Sequence, residues 1–549
     1  MKLIVIGAVA AGTSAAAKAR RNSEDAQIVI YEKDSYISYS GCGMPYYLGG
    51  EVARAEELSP RDPAFFRSKY NVEIKTGHEV LSIDPVGKSV TVKNLATGDI
   101  FSDSYDTLIL ATGARAVTPP IPGRESSNVF TLRNINDMLR IETFLNERKP
   151  GSAAIIGTGF IGLEMCESLM RRGMQVTLLE KLPQVTPGLD GDMAIRVEEH
   201  PKKSGVAVKT GVSIAQITEN SVILADGTEI PAGLVLLSTG VRPNVELATA
   251  AGVSLGKTGA IAVDTHMRTS LPDIYACGDC AEEFHVVTGQ PVYRPLGSTA
   301  NKTGRIAGDC ATGGSLAYRG TLGTGIFRVL GLSVAQTGLS AREAREAGYD
   351  TVVCHSTKPD KPEYLGGKEM TIKAIADRAT GRLLGAQIVG PEGVDKRIDV
   401  LATAISYGGK AEDLFFLDLA YAPPFATTKD PVLYTGMILE NALHGARPLM
   451  TAEELLERQR AGEPTVIIDT RTPESYQKSH IAGAVSIPLA ELRKSADALD
   501  RDAVTVTYCN KGVTGNAAQN LLLNRGFRRV YNLSGGMNQY TAVKKMQER

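Results

Sequence analysis

The sequence predicts an α/β protein of several domains, and three observations carry that expectation. The chain has 549 residues, too many for one hydrophobic core, so about three or four domains are expected. A pattern of apolar strand, glycine turn, helix, second strand and acid occurs twice, first from residue 2 and again from residue 152. From about residue 448 a new unit of a different kind begins. The 56 glycines and 43% hydrophobic content suit a fold rich in glycine turns and argue against a disordered or fibrous chain.

Composition narrows the function classes. With 60 basic and 61 acidic residues the net charge is -1, which points to neither nucleic acid nor a membrane surface as a partner. Seven cysteines, an odd number spread along the chain, do not form the pattern of a disulfide framework, and a reducing cytoplasm is expected. The opening "MKLIVIGAVAAG" runs straight into a glycine turn, so it reads as a buried strand and not as a signal peptide. No run reaches the roughly 18 apolar residues of a membrane span.

The repeated unit is the one that binds a dinucleotide. "KLIVIGAVAAG" is echoed by "SAAIIGTGFIG" at 152 to 162, and the following strands, "QIVIYEKD" and "QVTLLEKL", end in Glu32 and Glu180. The helix N-terminus of such a unit receives the pyrophosphate, and the acid accepts hydrogen bonds from a ribose hydroxyl. The second copy has the full glycine spacing in Gly157, Gly159 and Gly162; the first keeps Gly7 and Gly12 around Val9. Two copies predict two Rossmann-like domains.

Two more strands end in glycine: "YDTLILATGA" at Thr112-Gly113, and "TSLPDIYACGDCAE" at Gly278-Asp279. With them the sequence resembles the pyridine nucleotide–disulfide oxidoreductases over residues 1 to 445. The resemblance implies FAD in the first fold, on Gly7, Gly12, Glu32, Lys33, Thr112, Gly113 and Asp279. It implies NADH or NADPH in the second, on Gly157, Gly159, Gly162, Glu180 and Gly240. Glu180 would repel a 2′-phosphate, so NADH is expected over NADPH. The implied domains are FAD-binding (1–115 and 241–319), NAD(P)H-binding (116–240) and an α+β dimerisation domain (320–446).

"ISYSGCGMPYYLGG", residues 37 to 50, holds one cysteine, Cys42, where the family carries its redox thiol. Two-cysteine members have a partner five places on, and here that residue is Tyr47. The resemblance therefore implies that Cys42 works alone, between a thiolate and a mixed disulfide, persulfide or sulfenic acid. Such a thiol is expected to have a depressed pKa. The histidine of NADH peroxidases and oxidases is missing from the turn Gly7-Ala8-Val9-Ala10-Ala11-Gly12. The turn, "AKARR", Ser38, "EGVDKRID" and "LAYAPPFATTKD" are similar to those of coenzyme A disulfide reductases. That likeness implies coenzyme A contacts at Ser14, Lys18, Arg21, Ser38 and Gly41, although a solvated helix face explains the basic residues as well. It also implies a homodimer in which Tyr421 and Tyr364 reach the partner subunit's redox cysteine.

The last segment resembles a rhodanese domain, residues 453 to 549. "PTVIIDTRTPESYQKSHIAGAVSIPLAEL" gives a strand ending in Asp469-x-Arg471, and "VTVTYCNKGVTGNAAQNLLLNRGF" gives a strand, Cys509, a loop and a helix. Backbone N–H groups of such a loop and the helix dipole stabilise a thiolate or persulfide. The arginine usual five places after the cysteine is Thr514, and Lys511 is the loop's remaining cation. Cys277 and Cys280 are spaced like half a metal site without a second half, so packing is expected and no metal.

The parts together imply an FAD-dependent, NADH-consuming reductase of small sulfur substrates: coenzyme A persulfide, polysulfide or coenzyme A disulfide. Coenzyme A enters as substrate or bound cofactor. Two alternatives stay open: a plain coenzyme A disulfide reductase with an inert rhodanese appendage, and a redox-sensing or sulfur-relay protein whose rhodanese domain docks partners.

Overall fold

The computed structural model describes residues 1–548 and forms two compact units. The first holds residues 1–181 and 206–323; the second holds 182–205 and the chain from 324 onward.

The first unit contains two five-stranded parallel sheets. One has the order Ile274–Ala276, Thr107–Leu110, Lys2–Ile6, Gln27–Tyr31, Glu73–Lys75. The other has Ala207–Lys209, Gln175–Leu179, Ser152–Ile156, Leu234–Leu237, Val129–Phe130. In each, the strand that opens the repeated motif is central. Leu3, Ile4, Val5, Ala153, Ala154 and Ile155 have no exposed surface, as expected of parallel strands covered on both faces. Helix Ala10–Asn22 lies close against helix Gly297–Cys310, because a side chain at Gly304 or Gly308 would collide with the Ala11 or Ala15 carbonyl.

The second unit contains an antiparallel sheet, ordered Gly325–Val329, Leu332–Gly338, Leu383–Gly390, Glu369–Asp377, Thr351–Pro359. Helices Val394–Ser406 and Pro431–Leu443 pack on it. A parallel sheet follows, ordered Leu449–Met450, Val530–Leu533, Thr505–Tyr508, Val466–Asp469, Ala484–Ser486. The α/β class, the α+β middle and the α/β C-terminal segment are therefore as the sequence predicts.

Helix Gly191–Lys203 falls, in sequence, inside the expected nucleotide domain, yet it belongs to the second unit. Charge explains why. Asp192 is buried and accepts hydrogen bonds from Lys373 Nζ (2.7 Å), His355 Nε2 (2.6 Å) and Gln539 Nε2 (3.0 Å). These come from the antiparallel sheet and from helix Gly536–Gln547, so one carboxylate ties three elements together. Ser534 Oγ accepts from the His355 backbone N–H (2.8 Å) and sits 2.9 Å from Nδ1, which fits a neutral ring with its proton on Nε2. Burial pushes the His355 pKa down accordingly. Although burial opposes it, attraction from Lys373 and the hydrogen bond from His355 hold the Asp192 acid well below the carboxylate range.

Removing one member of such a group leaves buried charge uncompensated, at a cost of about 3–5 kcal/mol. Asp192→Ala should therefore lower the stability of the second unit by that amount in denaturant unfolding. A loss below about 1 kcal/mol would show that the cluster does not hold these elements together.

Candidate active site

The first glycine turn accepts no side chain at its two glycines. Gly7 has φ +107°, and a Cβ there would strike the Ala111 carbonyl; one on Gly12 would strike the carbonyl of Gly7. Helix Ala10–Asn22 starts from Val9 with no side-chain cap, so its first N–H groups are left for a ligand. Glu32 is buried, accepting from the N–H groups of Ala8 (2.8 Å) and Asp34 (2.9 Å). Burial raises its pKa, and those two N–H groups draw it partly back.

The second turn repeats the geometry. Gly157 has φ +100° and a Cβ there would lie 2.5 Å from the Ser238 carbonyl oxygen, while one on Gly162 would strike the Gly157 carbonyl. Gly159 and Gly240 have open space where a Cβ would stand. Glu180 accepts from Thr158 N–H (3.0 Å) and Oγ1 (2.7 Å). Close backbone approach, uncapped helix starts and a fixed acid at the next strand end fit one dinucleotide at each turn.

Asp279 lies beside the first turn, because a Cβ on Gly278 would come within 2.7 Å of Ala11 Cβ. Its carboxylate accepts from Arg133 Nη2 at 2.7 Å, and Tyr293 OH donates to its backbone carbonyl at 2.9 Å. Thr112 Oγ1 donates to the Asn244 carbonyl (2.7 Å), Gly113 takes φ +67°, and Lys33 is exposed.

Cys42 stands in the short turn Gly41–Gly43 and is exposed. Its loop hangs on the first glycine turn: Ser38, at φ +50°, donates its N–H to the Ala8 carbonyl at 2.8 Å. The helix that follows, Met44–Leu48, is fixed by Tyr46 OH to Glu164 (3.0 Å), Tyr47 OH to Glu142 (2.6 Å) and Ser168 Oγ to the Pro45 carbonyl (2.7 Å). Tyr47, where a second thiol would stand, is thus a brace, its pKa pushed up to about 12 by burial and by Glu142. The other six cysteines are unpaired and buried. Cys280 donates to the Cys277 carbonyl at 3.3 Å, a packing arrangement.

The electrostatics at Cys42 differ from the expected depressed thiol. Although the residue is exposed, partial desolvation of its sulfur raises its pKa, Glu164 and Asp279 raise it further, and Arg133 pulls it down. Arg133 and Glu164 are site residues that sequence reading misses; Arg133 lies 146 positions from Asp279 and carries no motif.

The coenzyme A candidates are mixed. Ser14 donates to Asn301 (2.6 Å), and Arg21 lies 5.5 Å from the centre of the Tyr70 ring. Lys18 is closed onto Asp309 at 2.9 Å, so a phosphate would have to displace a carboxylate there.

In the second unit, Cys509 follows strand Thr505–Tyr508, and its carbonyl accepts from Met537 N–H at 2.8 Å. Gly512, at φ +90°, turns the loop into helix Val513–Asn524, which has no side-chain cap. Asp469 and Arg471 are the brace below: Arg471 Nη2 to Asp469 (2.7 Å), Nη1 to Asn510 (3.1 Å), and Tyr508 OH to Asp469 (2.6 Å). Thr514 Oγ1 lies 3.4 Å from Thr470 Oγ1. Tyr364 and Tyr421 are 76% and 49% exposed. Among the described residues no group of three or more His, Cys, Asp or Glu is placed to hold a metal, and no helix is long and apolar enough to cross a membrane.

Residues 1–301 match the model for pyridine nucleotide-disulphide oxidoreductase, and 326–431 match that family's dimerisation domain. The chain belongs to the pyridine nucleotide-disulphide oxidoreductase family. Residues 451–543 match the rhodanese-like domain. Among oxidoreductases of this family, the NAD(P)H sulfur oxidoreductase (CoA-dependent) of Pyrococcus furiosus is 36% identical over 80% of this chain and 99% of its own. Two solved structures are similar along nearly the whole length. Reduced Bacillus anthracis CoADR-RHD has TM-score 0.96 and 37% identity, covering 99% of this chain and 98% of that one. An NAD-dependent persulfide reductase from A. fulgidus has TM-score 0.90 and 37% identity, covering 98% and 100%.

The two turns can be tested separately. Gly12→Ala should yield protein without bound flavin. Gly162→Ala should keep flavin, yet NADH should reduce it at least about a hundredfold more slowly, because the nicotinamide carrier is misplaced. Full flavin content in the first variant, or wild-type flavin reduction in the second, would contradict the assignment of the turns.

Proposed function

We propose that this protein is an FAD-dependent, NADH-consuming reductase of sulfur–sulfur bonds that acts on coenzyme A persulfide, polysulfide or coenzyme A disulfide. One observation carries the reading: Cys42 is the exposed thiol, it hangs on the first dinucleotide turn, and the place for a partner thiol is a tyrosine bonded to Glu142. The names of the Pyrococcus relative and of the two similar structures support a sulfur substrate and coenzyme A.

Bound FAD supplies two-electron transfer between a nicotinamide and a thiol. The chain's residues do the rest. Gly7, Gly12, Glu32, Thr112, Gly113 and Asp279 hold it, and Arg133 balances the Asp279 charge near Cys42. Gly157, Gly159, Gly162 and Glu180 hold NADH, with the Glu180 carboxylate disfavouring a 2′-phosphate.

The sulfur step balances as follows. The Cys42 thiolate attacks the carbon-bound sulfur of coenzyme A persulfide, the sulfur–sulfur bond breaks, and hydrosulfide leaves. Cys42 then carries coenzyme A as a mixed disulfide. Two electrons from NADH and one proton restore the Cys42 thiolate and free the coenzyme A thiol. Cys509 carries sulfane sulfur in the same economy. The match to a dimerisation domain supports a homodimer, with Tyr421 and Tyr364 offered to the partner subunit as proton donors. Seven unpaired cysteines suit a reducing cytoplasm.

Cys42→Ser should keep its flavin and still be reduced by NADH, in preference to NADPH, while reduction of coenzyme A persulfide falls by at least about a thousandfold, as for loss of a nucleophile. Persistence of most persulfide reduction would overturn the reading. Loss of flavin would give Cys42 a structural role instead.

A further inference from the structure

The loop that follows Cys509 holds one charged side chain. Within "NKGVT", residues 510–514, that residue is Lys511, and its ammonium is engaged with Glu369. Glu369 opens strand Glu369–Asp377 of the antiparallel sheet and stands opposite Pro359, in the register that sets Thr371 opposite Thr357 and Lys373 opposite His355. Residues two apart on a strand share a face, and so do residues directly opposite one another. Glu369 therefore belongs to the face of His355. That face meets the support of the Cys509 loop: His355 N–H donates to Ser534 Oγ at 2.8 Å, and a Cβ on Gly535 would lie 3.0 Å from His355 Cβ. The next residues hold the loop itself, with Met537 N–H donating to the Cys509 carbonyl (2.8 Å) and Asn538 N–H to that of Asn510 (3.1 Å). A carboxylate from the antiparallel domain thus reaches the second residue after Cys509.

The other cations nearby are committed or turned away. Arg471 donates from Nε and Nη2 to the buried Asp469 (2.9 and 2.7 Å), from Nη2 also to the Ser479 carbonyl (2.6 Å), and from Nη1 to Asn510 (3.1 Å). Lys358 alternates to the opposite face of the sheet, where it and Lys429 lie over the Tyr434 ring. Thr514 is neutral, and its hydroxyl lies 3.4 Å from Thr470 Oγ1, which donates to the Tyr508 carbonyl at 2.8 Å. What is left for an anion is backbone: the loop N–H groups and the uncapped start of helix Val513–Asn524. A helix start carries about half a unit of positive charge, so this cradle suits a single negative charge and not two.

We propose that Glu369 is a specificity-determining residue of the Cys509 site: by holding Lys511 it makes the loop select organic persulfides, R–S–SH, over dianionic sulfane donors such as thiosulfate. The proposal rests on the reading of Cys509 as a sulfur carrier. With either donor the Cys509 thiolate attacks the terminal sulfane sulfur, the sulfur–sulfur bond of the donor breaks, and Cys509 becomes a persulfide. The bonding pair leaves on RS⁻ from an organic persulfide and on sulfite from thiosulfate, so no external electrons are required. The organic donor brings at most one charge to the reacting sulfurs, and the backbone cradle meets it. Thiosulfate brings two, to a mouth where the Glu369 carboxylate repels them and Lys511 is taken. The pair is partly exposed, so it lends the fold little stability. Its effect is on which anion can approach.

The test uses full-length Cys42→Ser protein with its flavin, exposed briefly to thiosulfate or to glutathione persulfide, and follows persulfide formation on the Cys509 peptide by mass. Adding Glu369→Gln removes the carboxylate and frees the ammonium. The ratio of the thiosulfate rate to the glutathione persulfide rate should then rise about tenfold, the effect of one charge-assisted hydrogen bond to an anion. Adding Lys511→Met as well should take that gain away, which a merely structural effect of Glu369 would not do. Glu369→Ala replaces the Gln variant if that one fails to fold. An unchanged ratio, or a gain that survives Lys511→Met, overturns the proposal while leaving Cys509 a carrier. The carrier reading itself fails if glutathione persulfide leaves no persulfide on Cys509 of the parent protein, and the proposal falls with it.

Discussion

The close approach of helix Ala10–Asn22 to strand Lys2–Ile6 is the constraint on which the first unit depends. Gly12 permits it, since a Cβ there would strike the Gly7 carbonyl, and Gly7 in turn lets the turn lie against the Ala111 carbonyl beyond strand Thr107–Leu110. On its other side the same helix lies against Gly304 and Gly308, again with no room for a methyl group. The turn so fixed presents Ala8 N–H to Glu32 and the Ala8 carbonyl to Ser38. Through Ser38 it places the Cys42 loop, and through Ala11 it places the Asp279 turn. The first glycine turn and the Cys42 loop are therefore one construction.

The chain gives Cys42 little electrostatic help. Glu164 and Asp279 add negative charge, burial penalises the thiolate, and the single opposing cation, Arg133, is already paired with Asp279. The protein thus supplies position more than activation. The second unit offers the contrast: the Cys509 loop has an uncapped helix behind it, and its own Lys511 is engaged with Glu369. The two thiols thus have different surroundings, in keeping with the proposed division into reduction at one and carriage of sulfane sulfur at the other.

What was legible in the sequence was whatever backbone geometry dictates. Gly7, Gly12, Gly157 and Gly162 are forced by carbonyl contacts, and Glu32 and Glu180 by the N–H groups at the strand ends, so residue type betrayed position. What stayed hidden were pairs with no local signature. Arg133 meets Asp279, Glu164 meets Tyr46, and Lys511 meets Glu369 across long stretches of chain. Helix Gly191–Lys203 carries no motif, and nothing in its sequence shows that Asp192 binds it to Lys373 and His355. Lys18 is a further case: the basic helix residue suggests a phosphate site, and nothing local announces Asp309 as its partner in this structure.

The central claim is that one thiol, Cys42, takes up the coenzyme A sulfur by itself. Intact-protein mass, measured after exposure to coenzyme A disulfide and again after a reductant, tests it most directly. The account predicts one reducible adduct of coenzyme A size per chain, carried on the peptide that contains Cys42. An adduct on Cys509 or on a buried cysteine, or none at all, would contradict it.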